Sequence, residues 1–104
     1  MNALTVALVH EPLPADQVVS GSPTTGSLVL GDRDGREVGV WEMTPGVATD
    51  VEVDEVFVVL TGSATVEGVA EEPIELGPGS AVTLTAGMRT VWTVRETLRK
   101  IYVI

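Results

Sequence analysis

Hydrophobic and polar positions alternate over short segments along most of this chain. From Ser27 onward, apolar residues, many of them valines, form strand-length runs that glycine- and proline-containing turns interrupt at intervals of roughly 8 to 12 residues. β-Branched side chains fit the pleated surface of a sheet. No window keeps a helical period over the ten or so residues that a helix requires. The pattern predicts an all-β domain with one short helical turn near Pro14 to Val18.

The turns delimit the predicted strands. The Asp-Gly step within Gly31–Gly35 is typical of a hairpin, and Thr61–Ser63 and Gly77–Gly79 are predicted as further turns. The predicted strands are Leu28–Leu30, Val38–Trp41, Val51–Leu60, Ala64–Val69, Pro73–Leu76, Ala81–Leu84, Thr90–Val94 and Leu98–Ile104. Short strands leave exposed edges unless the sheet closes or doubles, so the pattern favours a barrel or a sandwich.

The chain divides into two parts by composition. Residues 1–26 contain a short apolar run, Leu4–Val9, followed by a stretch rich in Ser, Thr, Pro and Gly. We expect them to form an N-terminal strand and arm that packs on a barrel made by residues 27–104.

Composition limits the partners. The 104 residues carry 15 acidic and 6 basic side chains, a formal net charge of -9, which repels phosphate backbones and anionic lipid. There is no cysteine, as is usual in a reducing cytoplasm. No apolar run approaches the roughly 20 residues that span a bilayer. We therefore expect a cytoplasmic protein that binds neither nucleic acid nor membranes.

Several motifs in the second half of the chain occur in a characteristic order. They are Val40–Gly46, Asp54–Gly62, Gly77–Gly79, Ala86–Gly87 and Arg99–Val103. Together they resemble the cupin superfamily over about two-thirds of the chain, and most closely the small single-domain cupins related to ureidoglycine aminohydrolase and to the ethanolamine-utilisation cupin. The resemblance implies a double-stranded β-helix, that is, a jelly-roll cupin barrel.

The metal ligands of this family are largely missing. Metal-binding cupins place two histidines shortly before a glutamate, which corresponds to Glu55, and a third histidine in the second motif. The histidine positions here hold Thr49 and Val51, or Ala48 and Asp50 with shifted spacing, and Thr90. Divalent metals need several nitrogen or oxygen donors that converge on one point. We expect no metal and no cofactor, and we interpret the single histidine, His10, as a solvated surface residue.

Strand parity selects candidate catalytic residues. Side chains alternate between the two faces of a strand, which places Glu55 on the apolar face of Val51–Leu60, together with Val51, Val53 and Phe57. The same rule places Lys100 and Tyr102 on one face of the last strand. If these three polar groups meet inside the barrel, they form either a site that orients a substrate or moves a proton, or an ion pair that only specifies the fold.

Four further residues are candidates for ligand binding. Arg89 and Thr90 follow Gly87 near the expected barrel mouth, where Arg89 is either a ligand for a small carboxylate or a solvated loop residue. Trp41 and Trp92 form either a flat wall for a ligand or part of the barrel filling.

The acidic residues around the first motif are interpreted as a surface patch. Asp50, Glu52 and Asp54 share the outer face of the predicted strand and, with Glu42, are expected to face solvent. Carboxylates along a strand point in a line and do not wrap around a calcium ion.

Three functions are compatible with these features. The chain is a module that binds a small polar or carboxylate-containing metabolite without metal, a metal-free aminohydrolase or isomerase acting on a small nitrogen-containing metabolite, or a structural protein with a filled barrel. Val56 and Val58 lie on the face opposite Phe57, which suggests that both faces are covered. A homodimer is the simplest assembly that covers them.

Overall fold

Nine β-strands and one 3-10 turn make up the structure, a computed structural model that describes all residues 1–104. The strands are β1 His10–Pro12, β2 Val18–Ser20, β3 Thr24–Arg33, β4 Arg36–Met43, β5 Gly46–Val51, β6 Glu55–Glu67, β7 Ile74–Leu76, β8 Ala81–Leu84 and β9 Arg89–Val103. The 3-10 turn covers Ala15–Gln17, inside the predicted segment. The prediction of an all-β jelly-roll barrel is confirmed.

The long strand β9 is shared by two sheets. Its C-terminal half, Leu98–Val103, pairs with β4 on one side and with the start of β6 on the other. Its N-terminal half, Arg89–Val94, pairs with β5 and with the end of β6. One sheet therefore has the order β1-β3-β4-β9-β6-β8, and the other has the order β2-β5-β9-β6-β7. The barrel interior lies between them.

The two sheets separate at a bend that β6 and β9 share. The ladder between these strands is irregular from Val59 to Ala64. Gly62 has a φ of 103°, and a Cβ atom there would collide with the carbonyl oxygen of Thr97. The predicted turn at Thr61–Ser63 is therefore wrong, because this glycine bends a continuous strand, and the two predicted C-terminal strands are one strand.

The hairpin between β3 and β4 forms as predicted. Asp34 and Gly35 have φ values of 54° and 76°, which are the left-handed conformations that a two-residue type I′ turn requires.

One predicted strand is divided in two. The chain leaves β5 after Val51 and enters β6 at Glu55. Between them, the Glu52 backbone pairs with the neighbouring loop, accepting from Gly87 N and donating to the Met88 carbonyl, each at 2.9 Å. This crossing from one sheet to the other resets the alternation. Val51 is consequently more than half exposed, contrary to the inward position predicted for it, whereas Val53 lines the cavity but is also more than half exposed.

The core fills the space between the sheets. Its buried members are Met43, Ala48, Phe57, Val59, Ala64, Val66, Leu76, Val82, Leu84, Trp92, Val94, Leu98 and Tyr102. Residues 1–26 lie along the barrel edges, where β1 pairs with β3 and β2 pairs with β5.

A polar network fastens the N-terminal segment to the outside of the barrel. His10 contacts Thr24 Oγ1 through Nδ1 at 2.9 Å and Glu42 Oε1 through Nε2 at 2.6 Å. Arg99 donates to Glu42 Oε2 at 2.8 Å and to the Ala3 carbonyl at 3.0 Å. The interpretations of His10 as a solvated residue and of Glu42 as part of a solvent-facing patch are therefore wrong, because each partner removes the other from water.

Candidate functional site

A cavity of about 240 Å³ opens into the barrel between the two sheets. It has about the volume of eight water molecules in the liquid, so it suits a small ligand. Strands β3, β4 and β9 supply one wall and β5 supplies another, while Leu13 and Gln17 of the N-terminal segment contribute to the lining. Its ionisable residues are Asp50, Glu52, Glu55, Lys100 and Tyr102, and its aromatic wall is formed by Trp41 and Trp92.

Lys100 and Glu55 form an ion pair inside the barrel. The ammonium donates to Glu55 Oε2 at 2.6 Å, and the two side chains are 6% and 11% exposed. Strand parity correctly predicted both orientations. Buried charges of this kind need a partner, because burying either one alone costs several kcal/mol.

Three aromatic rings surround the same ammonium. The Nζ atom lies 4.5 Å from the ring centroid of Trp41, 4.4 Å from that of Phe57 and 5.1 Å from that of Trp92. The electron-rich ring faces attract a cation at these distances. The aromatic wall therefore has the electrostatic character that favours positive charge.

Tyr102 lines the cavity, but its hydroxyl is engaged elsewhere. The hydroxyl donates to Glu37 Oε2 at 2.9 Å, and Gly39 faces the ring across the strand pair, where a Cβ atom would collide with it. Burial, the hydrogen bond to Glu37 and nearby negative charge raise the pKa of Tyr102 to about 12. Tyr102 is therefore a neutral hydrogen-bond donor near pH 7 and does not join the direct contact between Glu55 and Lys100.

Glu52 is a buried carboxylate that strand parity placed in the solvent-facing patch. It is only 8% exposed, and its Oε2 atom accepts from Thr90 Oγ1 at 2.6 Å and from Trp92 Nε1 at 3.1 Å. The patch prediction is wrong for Glu52 because the crossing between β5 and β6 turns its side chain inward. Oε1 accepts from no protein group and is not sealed from the cavity.

Asp50 stands at the rim of the cavity beside Glu52. Desolvation by the surrounding wall and the negative charge of Glu52 raise the pKa of Asp50 above its usual value, although its Oδ1 atom accepts from Val51 N at 2.8 Å. The carboxylate therefore lies where additional positive charge would stabilise it.

Arg89 and Thr90 do not line this cavity. Both border a second, adjoining cavity that shares Gln17, Thr49 and Asp50 with the first. Arg89 is exposed, whereas Thr90 is buried and holds Glu52 in place through its hydroxyl. The predicted carboxylate contact of Arg89 would thus lie outside the cavity that holds Glu55 and Lys100.

The residues at the family's metal position do not fit a metal ion. Of the corresponding residues, Val51 is exposed, Thr90 is bonded to Glu52, and Glu55 is bonded to Lys100. No group of three His, Cys, Asp or Glu side chains is arranged to hold a metal.

The sequence patterns missed part of the site. Strand parity predicts a surface position for Asp50, which is indeed exposed but also lines the cavity, and for Glu52, which is buried. Leu13 and Gln17 belong to a segment without a motif. The acidic cluster before Glu55 is the sequence signal that could have identified Glu52. Strand parity alone places this cluster in solvent, because it assumes a continuous strand.

The family of the chain follows from a family model. Residues 30–102 match the model described as the EutQ-like cupin domain, which covers more than half of the chain. The chain belongs to this family. Among curated proteins, none matches this cupin closely enough to count as a relative. The structure contains no helix with the length and apolar character needed to cross a bilayer.

Solved structures share the fold of this cupin at low sequence identity. A protein of unknown function from Rhizobium leguminosarum bv. viciae 3841 is 24% identical over 76% of this chain and 78% of its own, with a TM-score of 0.68. A protein of the DUF861 family from Pseudomonas syringae pv. tomato DC3000 is 20% identical with a TM-score of 0.81, over 96% of this chain but only 45% of its own. The EutQ protein of Clostridium difficile is 18% identical over 78% of this chain and 61% of its own, with a TM-score of 0.64. These similarities support the fold alone.

Proposed function

We propose that this cupin is a cytoplasmic module that binds a small polar metabolite inside its barrel without the metal typical of the superfamily. The observation that carries the proposal is the open cavity between the two sheets, which combines an aromatic wall with several convergent polar groups. Concave sites of this composition are the usual location of small-molecule binding. A barrel with a purely structural role would be expected to fill this space with side chains.

The polar groups of the cavity are suited to orient a ligand. The Glu55–Lys100 pair supplies one fixed charge pair, and the Glu52 carboxylate supplies a further acceptor. The rigid positions of these groups reduce the entropy lost on binding.

The test is an NMR titration of the isotopically labelled protein with a library of small polar metabolites. We expect at least one compound to shift the indole signals of Trp41 and Trp92. Ser27→Phe should abolish the response because it fills the cavity from its wall, whereas Ser22→Phe, on an exposed loop, should preserve it. Failure of every compound to shift the cavity signals, or an unchanged response in Ser27→Phe, would overturn the proposal.

We further propose that the protein assembles as a homodimer through its outer apolar face, the outward side of the sheet that contains β3, β4, β9 and β6. The strand register places Val38, Val103 and Val56 in one row of this face and Ile101 and Val58 in the next, and the buried Val40 connects this second row to Leu28. Val56 and Val58 are 49% and 40% exposed. A contiguous apolar face of this kind is typical of protein interfaces.

A further inference from the structure

The charge balance of the cavity indicates the class of its ligand. Three carboxylates, Asp50, Glu52 and Glu55, line it together with one ammonium, that of Lys100. If all are ionised, this leaves a formal surplus of two negative charges. Because Lys100 is paired with Glu55 at 2.6 Å, the surplus belongs to Asp50 and Glu52.

Each of these carboxylates has one oxygen atom that accepts no hydrogen bond from the protein. The single hydrogen bond to Asp50 is made to Oδ1, and both hydrogen bonds to Glu52 are made to Oε2. Glu52 is more than nine-tenths buried, and its Oε1 atom has no protein donor. Because Oε1 is open to the cavity, a ligand can donate to it, and a positively charged donor forms the stronger, charge-assisted hydrogen bond with this carboxylate.

The walls beside these carboxylates fit the rest of such a ligand. Trp41 and Trp92 lie with ring centroids 6.1 Å apart and already face the ammonium of Lys100. The net charge of the protein, -9, adds a long-range attraction for cations. A metal ion does not fit, because the carboxylates are not grouped as a metal site.

We propose that the cavity selects small organic cations, that is, primary amines or related ammonium compounds, with the ammonium bound by Glu52 and Asp50 and the carbon skeleton packed on Trp41 and Trp92. This inference rests on the proposed binding function and names its ligand class. It replaces the expected small carboxylate, since the cavity contains no unpaired cation to hold one.

The experiment compares three probes that share one carbon skeleton. They are 4-aminobutan-1-ol, a cation, butane-1,4-diol, which is neutral, and 4-hydroxybutanoate, an anion, each titrated into the labelled protein and followed by NMR. We expect only the amine to shift the indole signals of Trp41 and Trp92. Equal or stronger binding of the diol or the hydroxy acid would overturn the inference and leave the binding function standing. If no probe and no member of the metabolite library binds, both fail.

A pair of matched variants locates the ammonium. Glu52→Gln should weaken amine binding about tenfold or more, the loss expected for one charge-assisted hydrogen bond. Glu96→Gln removes the same charge from an exposed position outside the cavity and should change the affinity less than about twofold. Equal effects of the two variants would overturn the assignment to Glu52. Should Glu52→Gln fail to fold, Asp50→Asn makes the same comparison at the rim.

Discussion

The Lys100 ammonium lies 2.6 Å from the Oε2 atom of Glu55, and both side chains are almost completely withdrawn from solvent. The pair stands at the base of the candidate site and joins β9 to the first residue of β6. Its energetic role is separable from any role in binding, because the charges can be removed singly or together.

Removing one charge of the Glu55–Lys100 pair should lower the free energy of unfolding far more than removing both charges. Lys100→Met leaves Glu55 buried without a partner, and we expect it to lower the free energy of unfolding by about 3–5 kcal/mol. The double variant Lys100→Met with Glu55→Gln should recover most of that loss. Urea denaturation of the three proteins measures the effect, and a double variant as unstable as the single one would contradict it.

Gly39 should be intolerant of a side chain because the Tyr102 ring occupies that space. A methyl group in Gly39→Ala collides with the ring, so we expect a loss of about 1–3 kcal/mol, the usual cost of overpacking. Gly31→Ala is the control, since a Cβ atom there meets nothing within 4 Å. Equal denaturation midpoints for the two variants would refute this account.

Tyr102 should make the protein less stable in alkali. Its pKa is raised to about 12 in the folded state, from the ordinary value of about 10, so the folded state holds this proton more tightly. The resulting stability, on the order of 3 kcal/mol, is fully present below pH ~10 and is lost as the pH rises toward 12.

The chain has a single tyrosine, so its absorbance reports this titration alone. We expect a midpoint near 12 in the folded protein, and Tyr102→Phe should remove this part of the alkaline loss of stability. A midpoint close to that of free tyrosine would contradict the burial and the bond to Glu37.

Glu42 should make the free energy of unfolding decrease at acid pH, whereas Tyr102 makes it decrease at alkaline pH. Although desolvation opposes it, hydrogen bonds and positive charge from Arg99 and His10 lower the pKa of Glu42 below 4.5. The carboxylate therefore contributes stability above pH 4.5, and this stability is lost as the pH falls through the pKa that Glu42 has in the folded protein. Glu42→Gln should reduce this acid dependence.

The same variant should loosen the N-terminal segment. Hydrogen exchange of residues 1–12 at pH 7 should accelerate in Glu42→Gln because both His10 and Arg99 lose a charged partner. Glu11→Gln, at an exposed position of β1 next to His10, should leave the exchange unchanged. Identical exchange in the two variants would show that the network does not hold the segment.

The outer apolar face should govern assembly. We expect the wild-type protein to sediment as a dimer and Val58→Glu to sediment as a monomer, since a charge at the centre of the face opposes its burial. Val19→Glu alters an exposed valine on β2, away from the face, and should remain dimeric. A monomeric wild-type protein, or a dimeric Val58→Glu, would refute this interface.

Strand parity succeeded where a strand is continuous and failed where it is interrupted. Leu98, Lys100 and Tyr102 all face inward as predicted, because β9 runs without a break through these residues. Val51 is exposed and Glu52 is buried, the reverse of the faces predicted for them, because the alternation holds only while the ladder continues. Nothing local marks Glu52–Asp54 as a crossing between sheets, since its backbone partners lie more than thirty residues away, at Gly87 and Met88.

The hydrogen-bond network around Glu42 could not be predicted from the sequence for a related reason. His10 reaches Glu42 over 32 residues and Arg99 reaches Glu42 over 57 residues. A sequence pattern records which side chains share a strand face, but not which distant strand is placed beside it.

The position of β9 at the centre of both sheets has a consequence for how the chain folds. Eight strands precede it along the chain, yet neither sheet has its middle strand until residues 89–103 have left the ribosome. The earlier segments can form the β3–β4 hairpin and other local pairs, but they cannot close a core. We therefore expect the nascent chain to expose its valine-rich faces until β9 emerges, and the two sheets then to form together in one cooperative and comparatively slow step.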